Sequence, residues 1–278
     1  MTRIDCHMHF WTLAMERYYA LWMTPDLGVL YRDYLPSDAR PLMAANDVQG
    51  VVLVSAASSI HELGYLMGLA DSQDFICGVV GWIDMLAPTA SDDLRGWARF
   101  RKLKGIRPYL QDLPDDDWIL RPELIPVVAT MRELGLRFDA LIKPRHILNT
   151  VRFIERHPDL PVIVDHMAKP AIRDDGLAAW RRDMQEFRDL RHVHCKLSGI
   201  LTEDGPNWTP ERLKPYFETV IDVFGPDRLV FGSDWPVVNL VADYGRWIGT
   251  LGGAISHLDI ADQQKIWAGN GERFYGLT

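Results

Sequence analysis

The chain has 278 residues, an apolar fraction of 47% and a net charge of −8, the composition of a folded globular protein. These values exclude disorder, a collagen-like rod and a disulfide miniprotein, and with no concentrated basic patch the acidic balance argues against nucleic acid as a partner. No apolar run approaches the ~18 residues that a membrane span requires.

Short apolar runs at 3–8, 50–56, 76–83, 102–107, 136–142, 161–165, 192–198 and 228–233 read as strands. Each is rich in Val, Ile, Leu or Phe and bounded by Gly, Pro or charge, as in a parallel sheet buried on both faces. The first run opens the chain with no charged and apolar leader before it, and Cys6, Cys77 and Cys195 are scattered. The expectation is a reducing cytoplasm with three buried thiols. Helical stripes lie between the strands. In 122–134, Leu124, Val127, Val128, Met131 and Leu134 recur at three- and four-residue steps, with Pro122 at the start and Gly135 at the end. Segments 145–157 and 177–190 follow the same pattern. In 210–224 the stripe is Leu213, Phe217, Val220, Ile221 and Phe224, entered through a Thr209 N-cap and stopped by Gly225-Pro226.

Eight strands with interleaved helices predict a distorted (β/α)8 TIM barrel of the α/β class, one domain over 1–278, with a doubly wound sheet as the alternative. The connections favour the barrel. Helix-to-strand joins such as 225–227 are short, whereas the strand-to-helix segments 10–37, 83–92, 108–121, 166–176, 199–209 and 234–243 are long. In a barrel the long segments share the face beyond the strand C-termini, where active sites sit.

Three strands end in ionisable residues. The first ends in Asp5-Cys6-His7-Met8-His9-Phe10, and side chains two apart on a strand point the same way. Taken alone, His7 and His9 are equally well half a metal site or two satisfied histidines at a strand edge. The sixth strand ends in Val164-Asp165-His166 and the eighth in Phe231-Gly232-Ser233-Asp234-Trp235-Pro236. Together they offer three imidazoles and one carboxylate, enough for a mononuclear site with an open position. His61, His146, His157, His192, His194 and His257 are read as structural or solvent-facing. No G-x-S-x-G elbow and no phosphate-cradling glycine pattern is present.

The same residues resemble the amidohydrolase superfamily, with its HxH after the first strand, a His after the sixth and an Asp after the eighth. The wording of Asp5 to Trp11, Gly81-Trp82-Ile83-Asp84, Leu103 to Arg107, Asp165 to Pro170, Cys195-Lys196-Leu197-Ser198-Gly199 and Phe231 to Pro236 is similar to its sugar-lactonase branch, the L-fuconolactonase-like and L-rhamnonolactonase-like enzymes. The resemblance runs from residue 3 to about 275 and implies a distorted barrel that hydrolyses a small sugar-acid lactone. It implies Asp234 as the base that activates water, with His166 beside it. It also implies His7, His9, His166 and Asp234 as ligands of one divalent cation, Zn²⁺ ahead of metal-free catalysis in which the imidazoles stabilise the oxyanion. Where binuclear members carry a bridging lysine and another histidine, this chain has Arg107-Pro108 and Asp139, so no two-metal bridge is expected.

Arg107, Lys196, Trp11, Trp82, Trp235, Tyr109 and Asp84, all near strand ends, are the candidates for substrate contact, with rim packing as the equal alternative for each tryptophan. Isomerisation of a sugar-diacid lactone, non-oxidative decarboxylation and turnover-free binding are the rival readings. Pairing through outer helices, common in barrels, allows a homo-oligomer.

Overall fold

The computed structural model describes residues 1–19 and 22–277. Its eight strands are β1 (Arg3–Met8), β2 (Val48–Val54), β3 (Ile76–Gly81), β4 (Leu103–Ile106), β5 (Arg137–Ala140), β6 (Val162–Val164), β7 (Val193–Leu197) and β8 (Leu229–Phe231). They form one sheet in the order β1-β2-β3-β4-β5-β6-β7-β8, and every paired neighbour is parallel. Beyond β8 the chain returns to β1. Met8 bridges Trp235, the His9 N–H donates to the Trp235 carbonyl at 2.8 Å, and the Asp234 N–H donates to the His7 carbonyl at 2.8 Å. The sheet is thus nearly closed into a (β/α)8 barrel, and the doubly wound alternative falls.

Strand alternation builds two apolar layers. Val51, Leu53, Val79, Phe138 and Val162 face the surrounding helices, while Ile4, Cys6, Val52, Val54, Val80, Ile163 and Val230 fill the interior. The C-terminal helix Asn270–Tyr275 stoppers the strand N-terminal end, adding Phe274 and Tyr275 to that interior cluster. Because both faces are covered, the strands read as continuous apolar runs.

The helical stripes fold as their spacing dictates. Leu124, Val127, Val128 and Met131 are buried, from a 3-10 turn Pro122–Leu124 that runs into the helix Ile125–Glu133. Thr209 caps the helix Pro210–Phe224 by accepting from the Arg212 N–H, and Gly225 ends it at φ 65°. The segment 145–157 becomes the helix Ile147–Arg156, and 177–190 becomes Leu177–Met184 with a following 3-10 turn. Four further helices, Pro36–Ala45, Ile60–Ser72, Ala90–Trp97 and Tyr244–Ile255, complete the outer shell.

The long segments gather at the strand C-terminal end. The first of them is pinched at its neck by an antiparallel Trp11–Tyr34 bridge. It leans over the end of β2, where the Trp22 indole N–H donates to the Ala56 carbonyl at 2.7 Å and Tyr18 stacks on His61 with ring centroids 4.9 Å apart. All three cysteines are free thiols. Cys6 and Cys195 are buried, whereas Cys77 is only half-buried. No helix among the described residues is long and apolar enough to cross a membrane.

Candidate active site

The mouth is assembled by backbone geometry that extended strands do not supply. The β1–β2 register slips between Asp5 and Met8, a bulge at the position that aims His7. After β6, His166, Met167, Ala168 and Lys169 all take positive φ, at 52°, 54°, 57° and 47°. An L-residue in this left-handed region costs roughly 1–2 kcal/mol, so four in succession persist only because the surroundings over-determine them. Asp234 is a fifth such residue, at φ 58°. Gly199, at φ 63°, leaves room for the His166 ring, since a Cβ there would lie 2.5 Å from Nδ1.

These devices bring the four expected side chains together. Asp234 Oδ1 lies 3.2 Å from His9 Nε2, 3.7 Å from His7 Nε2 and 3.9 Å from His166 Nε2. The His7 ring centroid is 5.0 Å from that of His9 and 4.4 Å from that of His166. All four residues are buried, Asp234 being the most exposed at 5%. His9 Nδ1 is 2.7 Å from the Val54 carbonyl, which can only accept, so Nδ1 carries a proton, and Nε2 faces Asp234. His166 Nδ1 is 2.9 Å from Ser198 Oγ.

The charges follow from these neighbours. Burial, reinforced by Lys196 and Arg107, holds His7 well below the usual imidazole range, and burial does the same for His166. Burial alone would raise Asp234, but His166 and His9 outweigh it and keep the carboxyl below its ordinary value. The mouth therefore sets the neutral imidazoles of His7 and His166 beside the ionised Asp234 carboxylate.

That donor set fits one divalent cation. His7, His9 and Asp234 place ligand atoms within 4.8 Å of one another, as do His7, Asp165 and His166. Three imidazole nitrogens within 3.9 Å of one carboxylate oxygen are a nitrogen and oxygen donor set of the kind that binds such an ion. Neutral imidazole and ionised carboxylate are the forms that ligate.

The remaining expected residues are placed as follows. Arg107 is at the mouth, its guanidinium bonded to the Ser55 carbonyl, to Tyr109 Oη at 3.2 Å and to His7 Nε2 at 3.2 Å. Tyr109 is half-buried beside it and donates to the same Ser55 carbonyl at 2.5 Å. Trp82 is half-buried at the end of β3. Asp84 is exposed and accepts from the Leu86 N–H at 3.1 Å, which makes it a turn residue. Trp11 and Trp235, for which sugar stacking and packing are equal alternatives in the sequence, are packed away at 0% and 2% exposure, each in a T-shaped contact with Tyr34, at 5.3 and 5.1 Å. Packing is the stronger claim on them because each buries a large apolar surface. Lys196 is sealed beneath the mouth at 0% exposure, its ammonium 2.6 Å from Asp139 Oδ2 and 3.0 Å from Asp165 Oδ1. Its carboxylate partners lie within the protein.

Asp139, Asp165, Ser55 and Ser198 join the site without a motif that marks them. One signal points to Asp139. A lone charge in an otherwise apolar, doubly buried strand must find a partner, and Asp139 in β5 and Lys196 in β7 satisfy that demand for each other.

Fold and mouth together define a (β/α)8 barrel that carries a carboxylate ringed by three imidazoles at the C-terminal end of its strands. Residues 4–277 match the profile of the Amidohydrolase family, and the chain belongs to that family. It is 40% identical over 279 residues to the L-fucono-1,5-lactonase of Burkholderia ambifaria, covering 99% of this chain and 96% of that one. It is 35% identical over 295 residues to the L-fucono-1,5-lactonase of Burkholderia multivorans, covering 99% and 96%. A solved amidohydrolase from Burkholderia multivorans with bound zinc superposes with a TM-score of 0.93 at 34% identity, covering 100% of both chains.

Proposed function

We infer that this chain is a lactonase that opens the ring of a sugar-acid lactone, of the L-fuconolactone or L-rhamnonolactone type, to the free aldonic acid. The observation that carries the reading is Asp234 Oδ1 set among three imidazole nitrogens at 3.2, 3.7 and 3.9 Å, at the strand C-terminal mouth of an amidohydrolase barrel. The likeness to two L-fucono-1,5-lactonases along nearly the whole chain supports the choice of substrate.

Asp234, ionised at neutral pH, takes a proton from water as the water oxygen bonds to the lactone carbonyl carbon. The carbonyl oxygen becomes an oxyanion, met by the imidazoles and by Arg107. The ring C–O bond then breaks as the proton held by Asp234 passes to the departing ring oxygen, leaving a carboxylic acid and a free hydroxyl. A divalent cation held by His7, His9, His166 and Asp234, which we take to be Zn²⁺, would polarise the carbonyl and acidify the water. Tyr109, Arg107 and Trp82 are the side chains we assign to the sugar. We place the protein in the cytoplasm, which suits three unpaired thiols.

The test is a pH-indicator assay with L-fucono-1,5-lactone and L-rhamnono-1,4-lactone, run with and without chelator, with products identified by NMR. Enzyme-dependent acid release with the open-chain acid as product is expected. Absence of turnover on both, or an isomerised or decarboxylated product from a sugar diacid, would overturn the reading.

A further inference from the structure

The left-handed run after β6 does more than aim His166. The Lys169 N–H donates to the His166 carbonyl at 2.8 Å, so the positive-φ residues close into one tight turn. In a 3-10-type turn the side chains at i and i+3 lie over one another, and the mirror-image turn keeps that relation. The strained turn therefore delivers Lys169 on the same side of the chain as His166, toward the mouth. The charge of Lys169 is felt there. It adds to burial in lowering His7 and His166 and, against burial, to His166 and His9 in lowering Asp234.

The ammonium meets one carboxylate. Lys169 Nζ is 2.5 Å from Glu203 Oε1, and the two side chains are 19% and 21% exposed. Among the described residues, every other Lys or Arg ion pair outside the sealed network of Arg107, Lys196, Asp139 and Asp165 has a partner at least 38% exposed. Glu203 stands on the short helix Ile200–Asp204 after β7, and that helix is held from two sides. Arg173 donates to the Thr202 carbonyl at 2.8 Å, and Arg212 Nη2 donates to Asp204 Oδ1 at 2.6 Å. Neither charged group of the pair makes another hydrogen bond or ion pair among the described residues. The ammonium thus keeps donors, and the carboxylate keeps an acceptor oxygen, at the rim of the mouth.

We propose, on the lactonase reading, that Lys169 and Glu203 form a paired subsite for a vicinal diol of the lactone ring, the ammonium donating to one hydroxyl and the carboxylate accepting from its neighbour. A hydroxyl both donates and accepts, so such a diol satisfies the two groups without parting them. The pairing also sets what is rejected. Hydrolysis turns a neutral lactone into an aldonate anion. A lone ammonium would attract that anion, whereas one neutralised by Glu203 reads hydroxyls without retaining the product.

Two variants test the subsite, with KM for L-fucono-1,5-lactone from the pH-indicator assay and Kd for sodium L-fuconate from titration calorimetry. Glu203→Gln, nearly isosteric, frees the ammonium. KM should rise about fivefold or more while the aldonate binds about fivefold or more tightly. Lys169→Met leaves the carboxylate alone. KM should rise about tenfold and the aldonate should bind about fivefold or more weakly. Loss of a merely structural tie between two loops would move aldonate binding the same way in both variants. That result, or an unchanged KM in either folded variant, overturns the proposal. The aldonate titration needs no turnover. A wild type that hydrolyses no lactone therefore refutes the lactonase reading, while the opposed shifts in Kd still decide the subsite. If Lys169→Met does not fold, Glu203→Gln decides alone, and an aldonate affinity that does not rise overturns the proposal.

Discussion

The two ends of the barrel each bury cations and use them differently. At the base, Arg228 is 6% exposed, and its hydrogen bonds all go to backbone carbonyls. Its Nε donates to Phe224 at 2.9 Å, Nη2 to Val223 at 2.7 Å and to Arg188 at 3.1 Å, and Nη1 to Leu190 at 3.0 Å. These are the free carbonyls at and after helix C-termini, where a cation is favoured. At the mouth, Arg107 and Lys196 face carboxylates and an imidazole, and Arg107 Nε, Ser55 Oγ and Asp139 Oδ1 are buried without a hydrogen-bond partner. Backbone strain leans the same way. At the base Asp47, before β2, takes positive φ beside the glycine turn at Gly225, while the mouth forces His166, Met167, Ala168, Lys169 and Asp234 into it. A saturated cation stiffens a scaffold, whereas under-satisfied polar groups and strained side-chain carriers are what a site holds ready for a ligand.

If that division is right, variants at the two ends must separate activity from stability. Asp234→Asn should lower kcat by about 10²–10⁴-fold with an unchanged thermal midpoint. Full activity in that variant would take Asp234 out of the mechanism. Arg228→Met should do the opposite, lowering stability by about 3 kcal/mol in a denaturant titration while kcat at 25 °C stays within twofold. A large loss of kcat in the folded variant would show that the ends are coupled. Gly199→Ala probes the boundary. A Cβ 2.5 Å from His166 Nδ1 must displace the ring, and a drop in kcat of about tenfold or more is expected from misplacing one group of the centre. Unaltered kcat would mean that His166 is free to move.

The smallest effect concerns Glu62, which lies under the segment covering the mouth and accepts from the Ala56 and Ala57 N–H groups at 2.8 and 2.7 Å. Burial lifts its carboxyl from the ordinary 4.5 to about 7. The fold therefore prefers the protonated form. That stabilisation is complete below pH 4.5 and is lost as pH rises through about 7. Lowering pH from 8 to 6 should add about 1 kcal/mol of stability in wild type and measurably less in Glu62→Gln, as read by urea denaturation at both values. Equal slopes in the two proteins would remove Glu62 as the source.

Much of this architecture was readable one residue at a time. The eight apolar runs, the stripe of Leu124, Val127, Val128 and Met131, the Thr209 cap and the mouth-forming length of segments such as 10–37 are local patterns, and local propensity and burial period suffice to set them. The meeting of His7, His9, His166 and Asp234 was legible because each stands at the end of a strand and a barrel sends all strand ends to one face. The roles of Lys196, Trp11 and Trp235 were not legible in that way. Residue type announces that a side chain can bind a ligand, but whether it does depends on what else reaches it first. Asp139 and Asp165 come to Lys196 from two other strands, and Tyr34 comes to both tryptophans from across a loop. Composition and spacing thus determined which elements form and which end carries the chemistry. Tertiary contact alone decided which charged and aromatic groups remain available there, because a partner distant in sequence satisfies a buried group as fully as a substrate would.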